Sequence, residues 1–483
     1  MGGNLTATTL PARAGARSTR HRHARATLLF LVLAVAVACV GDGGLWPSPA
    51  AAGVDSSIAA ALSSAGLAGS GTGVYVWDLD TGLPIYEHNS SMGFAPASNM
   101  KLVTSAAAIR YWGTSHRFST ELYAPDLAVD AGVLDGDLYL RGLGDPSLST
   151  RSYQKDVFDL TTASFETFAK TVKRKGIKKV AGRVLGDASW FDKLRTVPYW
   201  KSGLQLECGP LSALSGNQGL DNGNRVAAPA TWAAKLMTTA LRNAGVKVKG
   251  KPGAGKVPST DLLVKDQYSA ALAGILKHMN KESDNFFAEM LLKGLGKDFY
   301  GDGSTAAGTK ASKATLHAMG IPNDSYVIQD GSGLSYNDRL TPATVVRVLG
   351  AMRQRDDFDA YYDSLAVAGE DGTLEDRMRG TAADDNAHAK TGTLNISVCL
   401  SGYVESANDH LVAFSILMNG GSMGTSDWGV ATTAQDKIVV ALAKSSLPGE
   451  PVLAVTPVLR QHSVSAFEPV DGSGGRLKPV VQP

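Results

Sequence analysis

At residue 97 the chain reads A-S-N-M-K-L-V-T-S-A-A-A-I, a serine and a lysine three apart at the head of an apolar run. On a helix, positions i and i+3 share a face, so the Lys101 amine would lie beside the Ser98 hydroxyl. An unprotonated amine there could take the hydroxyl proton and turn Ser98 into a nucleophile. The plainer alternative is a helix entry followed by a solvated charge, since S-x-x-K is short and recurs by chance. Two further stretches carry similar chemistry. K-E-S-D-N sets Ser283 and Asn285 two apart between two helical runs, and A-K-T-G-T-L brings Lys390, Thr391, Gly392 and Thr393 just ahead of paired strand-like segments. Singly, the first is ordinary loop chemistry and the second an ordinary strand edge.

The elements around these stretches predict how they are held. V-D-S-S-I-A-A-A-L reads as a short helix, and G-V-Y-V-W-D-L-D-T-G-L-P-I-Y-E-H as two strands joined by a D-T-G turn. Near the other end, V-C-L-S-G-Y-V and L-V-A-F-S-I-L-M-N read as neighbouring strands followed by a helix through A-Q-D-K-I-V-V-A-L-A. Strands at both ends flanking central helices predict an α+β fold, with one antiparallel sheet built from both ends of the chain and helices packed on it. Between residues 121 and 257 the texture changes to short strands between Gly and Asp turns around a helical F-E-T-F-A-K-T-V-K-R-K-G-I. That stretch is expected to be an inserted domain, with K-G-K-P-G-A-G-K-V-P as its return linker. The host domain would then be 53–120 and 258–446, and 447–483 a Pro- and Gly-rich tail.

Five arginines before the apolar run A-T-L-L-F-L-V-L-A-V-A-V-A-C-V, then P-S-P-A-A-A-G, have the order of a secretory signal over residues 1–52. The run is too short for a spanning helix, so export without a stable membrane span is expected. Lipid attachment at Cys39 is the less favoured reading. Without those residues the charged side chains number 42 basic and 44 acidic, and no electrostatic premise for nucleic-acid binding remains. Neither a metal nor an organic cofactor is implied, and Cys208 and Cys399 are left unassigned as a pair.

In the order S-x-x-K, S-x-N, K-T-G the three stretches match the motif set of the penicillin-recognising serine enzymes. The chain resembles, from about residue 55 to 445, the serine D-alanyl-D-alanine carboxypeptidases/endopeptidases of penicillin-binding protein 4 type (peptidase family S13). L-Y-L-R-G-L-G-D-P-S-L, G-D-A-S-W-F-D, D-G-S-G-L-S and G-E-D-G-T-L carry the resemblance beyond the motifs. It implies a β-lactamase/transpeptidase-like fold with extra lobes between Ser98 and Ser283. It also implies peptidoglycan stem peptides as substrates, β-lactams as inhibitors and a place outside the cytoplasm, associated with the cell wall. The insertion here is short, so one of the family's lobes is expected to be reduced.

The resemblance also distributes roles. Ser98 would attack the D-Ala-D-Ala carbonyl, and Lys101 would be the base, kept neutral by burial and by the Lys390 charge. Ser283 would pass a proton to the leaving D-Ala, and Asn285 would hold Lys101 or a substrate amide. Lys390 and Thr391 would meet the terminal carboxylate, Gly392 would bare the strand edge, and the N–H groups of Ser98 and Thr393 would form an oxyanion hole. After D-G-S-G-L-S, members that prefer diaminopimelic-acid peptides often have arginine; here Tyr336 stands there, with Arg339 three residues on. Weak discrimination at that side chain is expected, unless Arg339 replaces the charge. The alternatives are a β-lactamase and a non-catalytic β-lactam receptor or wall-binding module. G-G-S-M-G at 420–424 resembles a nucleophile elbow, but the only later histidine is His462 in the tail, so Ser422 is read as a turn residue.

Overall fold

The computed structural model describes residues 49–125, 131–158, 160–420 and 425–449. Cys39, Ser422, His462 and nearly all of the expected signal and tail lie outside them.

Four antiparallel strands from late in the chain and a hairpin from its start form the central sheet. Ser397–Glu405 and Leu411–Asn419 are apolar on both faces, and nearly every residue of each is buried, as strands covered on both sides must be. Against the second of them lies the N-terminal strand Thr72–Asp78, antiparallel and in register from Thr72↔Met418 to Asp78↔Val412. The full order is Ala366–Val367, His388–Leu394, Ser397–Glu405, Leu411–Asn419, Thr72–Asp78, Leu83–His88. One face packs on the helices Pro49–Ser64 and Thr425–Lys444, where Ile58 and Leu62 meet Val76, Phe414, Ile438 and Leu442. The other carries Met100–Trp112, Leu272–Lys281, Asn285–Tyr300 and Pro342–Arg353, and there the buried Tyr403 hydroxyl donates to Leu349 O at 2.8 Å.

A second sheet, mixed in direction, runs Gly253–Ala254, Val184–Asp187, Leu138–Gly142, Ser119–Ala124, Leu262–Tyr268. The helices Phe165–Arg174 and Pro229–Asn243 cover it with a core of their own, including Leu140, Phe168, Val184, Met237 and Leu241. The expected return linker is therefore partly structured: Gly253 and Ala254 pair in parallel with Leu185 and Gly186. Its glycines read as a linker because a two-residue strand carries no periodic signal. Leu262–Tyr268 also pairs into this sheet, against Ser119–Ala124, so the sheet takes in residues on both sides of 121 and 257. At the far end, Leu447 is buried and exchanges two hydrogen bonds with the Asn408 side chain, which ties down the start of the expected tail.

Candidate active site

Ser98 lies in a single 3-10 turn, Ala97–Asn99, that leads straight into the helix Met100–Trp112. The turn needs support, because Ala97 has φ +46°, a left-handed conformation an alanine rarely takes. D-G-S-G-L-S supplies part of it from below. A Cβ on Gly333 would come within 1.8 Å of Ala97 O, so only glycine lets that loop close under the serine. The K-T-G strand supplies the rest from the side: Asn99 Nδ2 donates to Lys390 O at 2.9 Å.

Lys101 is fully buried, one turn along, and its amine meets three oxygens. Nζ is 2.9 Å from Ser98 Oγ, 2.7 Å from Asn285 Oδ1 and 2.9 Å from Ser332 O. The two carbonyl oxygens can only accept, so they take two N–H bonds. What remains on Nζ faces Ser98 Oγ. In an ammonium it is a third N–H, and in a neutral amine it is the lone pair, to which the hydroxyl donates. Burial lowers the Lys101 pKa from 10.5 to about 8, against the opposing pull of Asp330, Asp284 and Glu289.

The Ser332 carbonyl is aimed by carboxylates that no motif announced. Glu289 Oε1 accepts from Gly331 N at 2.9 Å and Ser332 N at 2.8 Å. Asp330 accepts from Gly333 N, Ser335 N and Trp200 Nε1, the last at 2.7 Å. Burial, and then the Asp330 charge, raise the Glu289 carboxyl to about 8.

Asn285 opens the helix Asn285–Tyr300, capped by Asp284, whose carboxylate accepts from Phe287 N at 2.9 Å. Its other side-chain atom, Nδ2, donates to Glu207 O at 2.8 Å, so a segment of the insertion reaches the site. Ser283 has φ +59° and lines the cleft, but its hydroxyl bonds neither Lys101 nor Lys390.

Lys390 is also fully buried, and its Nζ donates to Thr391 O at 3.1 Å. Its pKa lies well below 10.5, by burial first and then by the Lys101 charge. Burial is the leading cause for both lysines, and the two buried cations disfavour one another's charge. Thr391 Oγ1 donates to Thr373 Oγ1 at 2.8 Å, and Thr393 is exposed in the cleft. A Cβ on Gly392 would meet Pro96 O at 2.9 Å and Ser98 N at 3.0 Å. That glycine is needed for contact with the serine turn, in addition to the open strand edge expected of it. The edge itself is open: His388 and Ala389 pair with Val367 and Ala366, and from Lys390 onward that side has no partner strand among the described residues.

A cleft of about 670 Å³ collects Ser98, Ser283, Asn285, Tyr336, Thr391, Gly392 and Thr393. Lys101 and Lys390 lie beneath it. Thr373, Glu207 and Trp428 also line it without any signal in the sequence beyond the place of Thr373 within G-E-D-G-T-L, and so does Cys208, left unassigned above. Tyr336 carries Lys201 Nζ 4.5 Å from its ring centroid. Arg339 turns to the carbonyls of Tyr336 and Asp338, at 2.7 and 2.6 Å. Cys208 and Cys399 are both free thiols, buried apart from each other.

Residues 54–207 and 210–445 match the family described as D-Ala-D-Ala carboxypeptidase 3 (S13). The chain is 33% identical over 471 residues to a D-alanyl-D-alanine carboxypeptidase of Actinomadura sp. (strain R39), across 80% of this chain and 84% of that protein. It is 24% identical over 428 residues to the D-alanyl-D-alanine carboxypeptidase DacB of Haemophilus influenzae, across 74% and 87%. The crystal structure of penicillin binding protein 4 from Haemophilus influenzae has a TM-score of 0.66 at 23% identity, covering 77% of this chain and 98% of that one. That likeness shows the fold, the penicillin-recognising α+β arrangement expected from the sequence.

Proposed function

The chain belongs to the D-Ala-D-Ala carboxypeptidase 3 (S13) family, and from that premise we propose that it removes the terminal D-Ala of peptidoglycan stem peptides through an acyl-enzyme on Ser98. The observation that carries the reading is the Lys101 amine, with two N–H bonds spent on carbonyls and its third direction on Ser98 Oγ.

Neutral Lys101 takes the Ser98 proton as Oγ attacks the carbonyl of the penultimate D-Ala. The oxyanion that forms lies against the N–H groups of Ser98 and Thr393. Lys101 returns the proton to the amine of the departing D-Ala and the C–N bond breaks; Ser283, whose hydroxyl lines the same cleft without bonding Lys101, joins this relay when the substrate bridges the two. Lys390, Thr391 and Thr393 receive the substrate's terminal carboxylate, whose charge draws Lys390 back to its protonated form. The peptide backbone lies along the open edge after Lys390 as an added strand. Water then attacks the ester with Lys101 as the base, and Lys101 passes that proton to Ser98 Oγ as the ester C–O bond breaks; a β-lactam inhibits by leaving on Ser98 an ester that resists this hydrolysis.

Its place is outside the cytoplasmic membrane, where stem peptides are. The basic, apolar and small-residue order of the first fifty-two residues supports export, and among the described residues no helix is long and apolar enough to cross a membrane. The second sheet and its helices act as an inserted domain that supplies Glu207 to the cleft.

The test is to incubate the protein with labelled penicillin, map the adduct by mass spectrometry, and follow D-Ala release from a D-Ala-D-Ala peptide. The expected adduct is on Ser98, absent in Ser98→Ala. An adduct elsewhere, or D-Ala release that survives Ser98→Ala, overturns the assignment.

A further inference from the structure

The near-balance of total charge conceals a strong local excess. From Thr167 to Gly186 there are seven Lys and Arg and no acid, and from Asn222 to Thr260 another seven and no acid. The fold brings these two segments side by side. Lys179–Val180 and Lys247–Val248 are parallel strands with Lys179 directly opposite Lys247. Lys249 N donates to Val180 O at 3.2 Å, and Arg242 donates to Val248 O at 3.3 Å from the end of the helix Pro229–Asn243. Lys179, Arg242, Lys247 and Lys249 are all exposed and line one concavity. None of the four has a carboxylate partner among the described residues.

Part of this basicity has a structural reason. Lys173, Arg174 and Arg242 occupy the last turns of their helices, where cations offset the helix dipole. That reason does not reach Lys179, Lys247 and Lys249, which lie on or beside strands. Like charges set directly opposite in a sheet are destabilising, so this pairing works against the fold unless an anion sits between the two.

We propose that this concave face of the inserted domain is a binding site for a linear polyanion of the cell envelope, a polymer with repeating phosphate groups, and that it holds the enzyme at the wall independently of the cleft. A membrane surface fits less well. None of the exposed large hydrophobic side chains falls within either basic segment, so nothing there would insert between lipid tails. The ligand is drawn by charge, and its binding weakens as salt rises.

The experiment measures binding of the full protein to linear poly(glycerol phosphate), to dextran, and to vesicles of phosphatidylglycerol and phosphatidylcholine, at low and high salt. Wild type is expected to bind the phosphate polymer in a salt-dependent way and not dextran. The variant Lys179→Glu/Lys247→Glu/Lys249→Glu is expected to bind about a hundredfold more weakly and to release D-Ala from a soluble peptide at the wild-type rate. Lys179→Gln/Lys247→Gln is expected to bind more weakly yet melt at a higher temperature, because a repulsion has gone. Equal polymer binding by wild type and the charge-reversed variant overturns the proposal, as does binding confined to the anionic vesicles. Hydrolysis of the soluble peptide is read separately, so failure of the basic site and failure of the proposed activity are distinguishable.

Discussion

Asn99 donates to the main-chain carbonyl of Lys390 at 2.9 Å, so the turn that presents Ser98 and the strand that presents the K-T-G triplet are joined by a buried side chain. Asn99→Ala is expected to leave that carbonyl unpaired, at about 1 to 3 kcal/mol of stability. Acylation by penicillin should slow about tenfold or more, because the oxyanion donors come one from each side of the joint. Stopped-flow acylation beside thermal melting checks this. Unchanged acylation in a destabilised variant would mean the joint serves only the fold.

The base is available only when Lys101 has lost its proton. With its pKa lowered to about 8, chiefly by burial, acylation is expected to rise with pH through about 8 and then level off. The folded state holds this proton less tightly than the unfolded chain, so the contribution of Lys101 to stability rises between about 8 and 10.5. Lys101→Ala should abolish acylation over the whole range. Lys390→Ala should mainly raise KM for peptides with a free terminal carboxylate. A flat acylation profile across pH 8 in wild type would remove Lys101 from the role of base.

Gly392 touches the serine turn where a methyl group has no room, with Pro96 O at 2.9 Å and Ser98 N at 3.0 Å from an added Cβ. Gly392→Ala is expected to push the Ser98 N–H out of line with Thr393. The loss should fall on kcat more than on melting temperature, about a hundredfold by comparison with removal of one oxyanion donor. Steady-state kinetics beside calorimetry decides it.

At the rim, Tyr336 presents a phenol with Lys201 over its ring at 4.5 Å, while Arg339 is engaged by two backbone carbonyls. A lone ammonium cannot make the bidentate pair of a guanidinium. Peptides with diaminopimelic acid and with lysine at the third position are therefore expected to differ by less than about tenfold in kcat/KM, against the roughly 1.5 to 3 kcal/mol of a charge-assisted bond. Arg339→Ala should leave the ratio unchanged, Lys201→Ala should bring it closer to one, and Tyr336→Arg should raise it. A strong wild-type preference that survives Lys201→Ala refutes this account.

The three motifs were legible because each holds its chemistry within a few consecutive residues. The sheet was legible from paired apolar runs at the two ends of the chain. What stayed hidden were contacts between distant segments. Ser332 acts through a carbonyl, which has no side-chain signature, and Glu289 aims that carbonyl from a helix on which it looks like one more surface charge. Asn99 sits inside S-x-x-K yet serves a strand 291 residues away. Lys201 belongs to an insertion whose path across the cleft no local pattern specifies. The averaged charge misled for a related reason: 42 basic and 44 acidic residues nearly cancel only when the two runs that meet at Lys179 and Lys247 are counted with everything else.

The early strand Thr72–Asp78 lies against the late strand Leu411–Asn419, and Ala95, just before the serine turn, donates to the Asn419 side chain 324 residues on. A chain that emerges from its N-terminus therefore carries its first hairpin without its central partner strand for most of its synthesis, and closing so long a loop makes folding slow. For the exported enzyme proposed above, this delay is useful. The host sheet cannot close, and the serine turn cannot be anchored through Ala95 to Asn419, until the last strand has arrived as well.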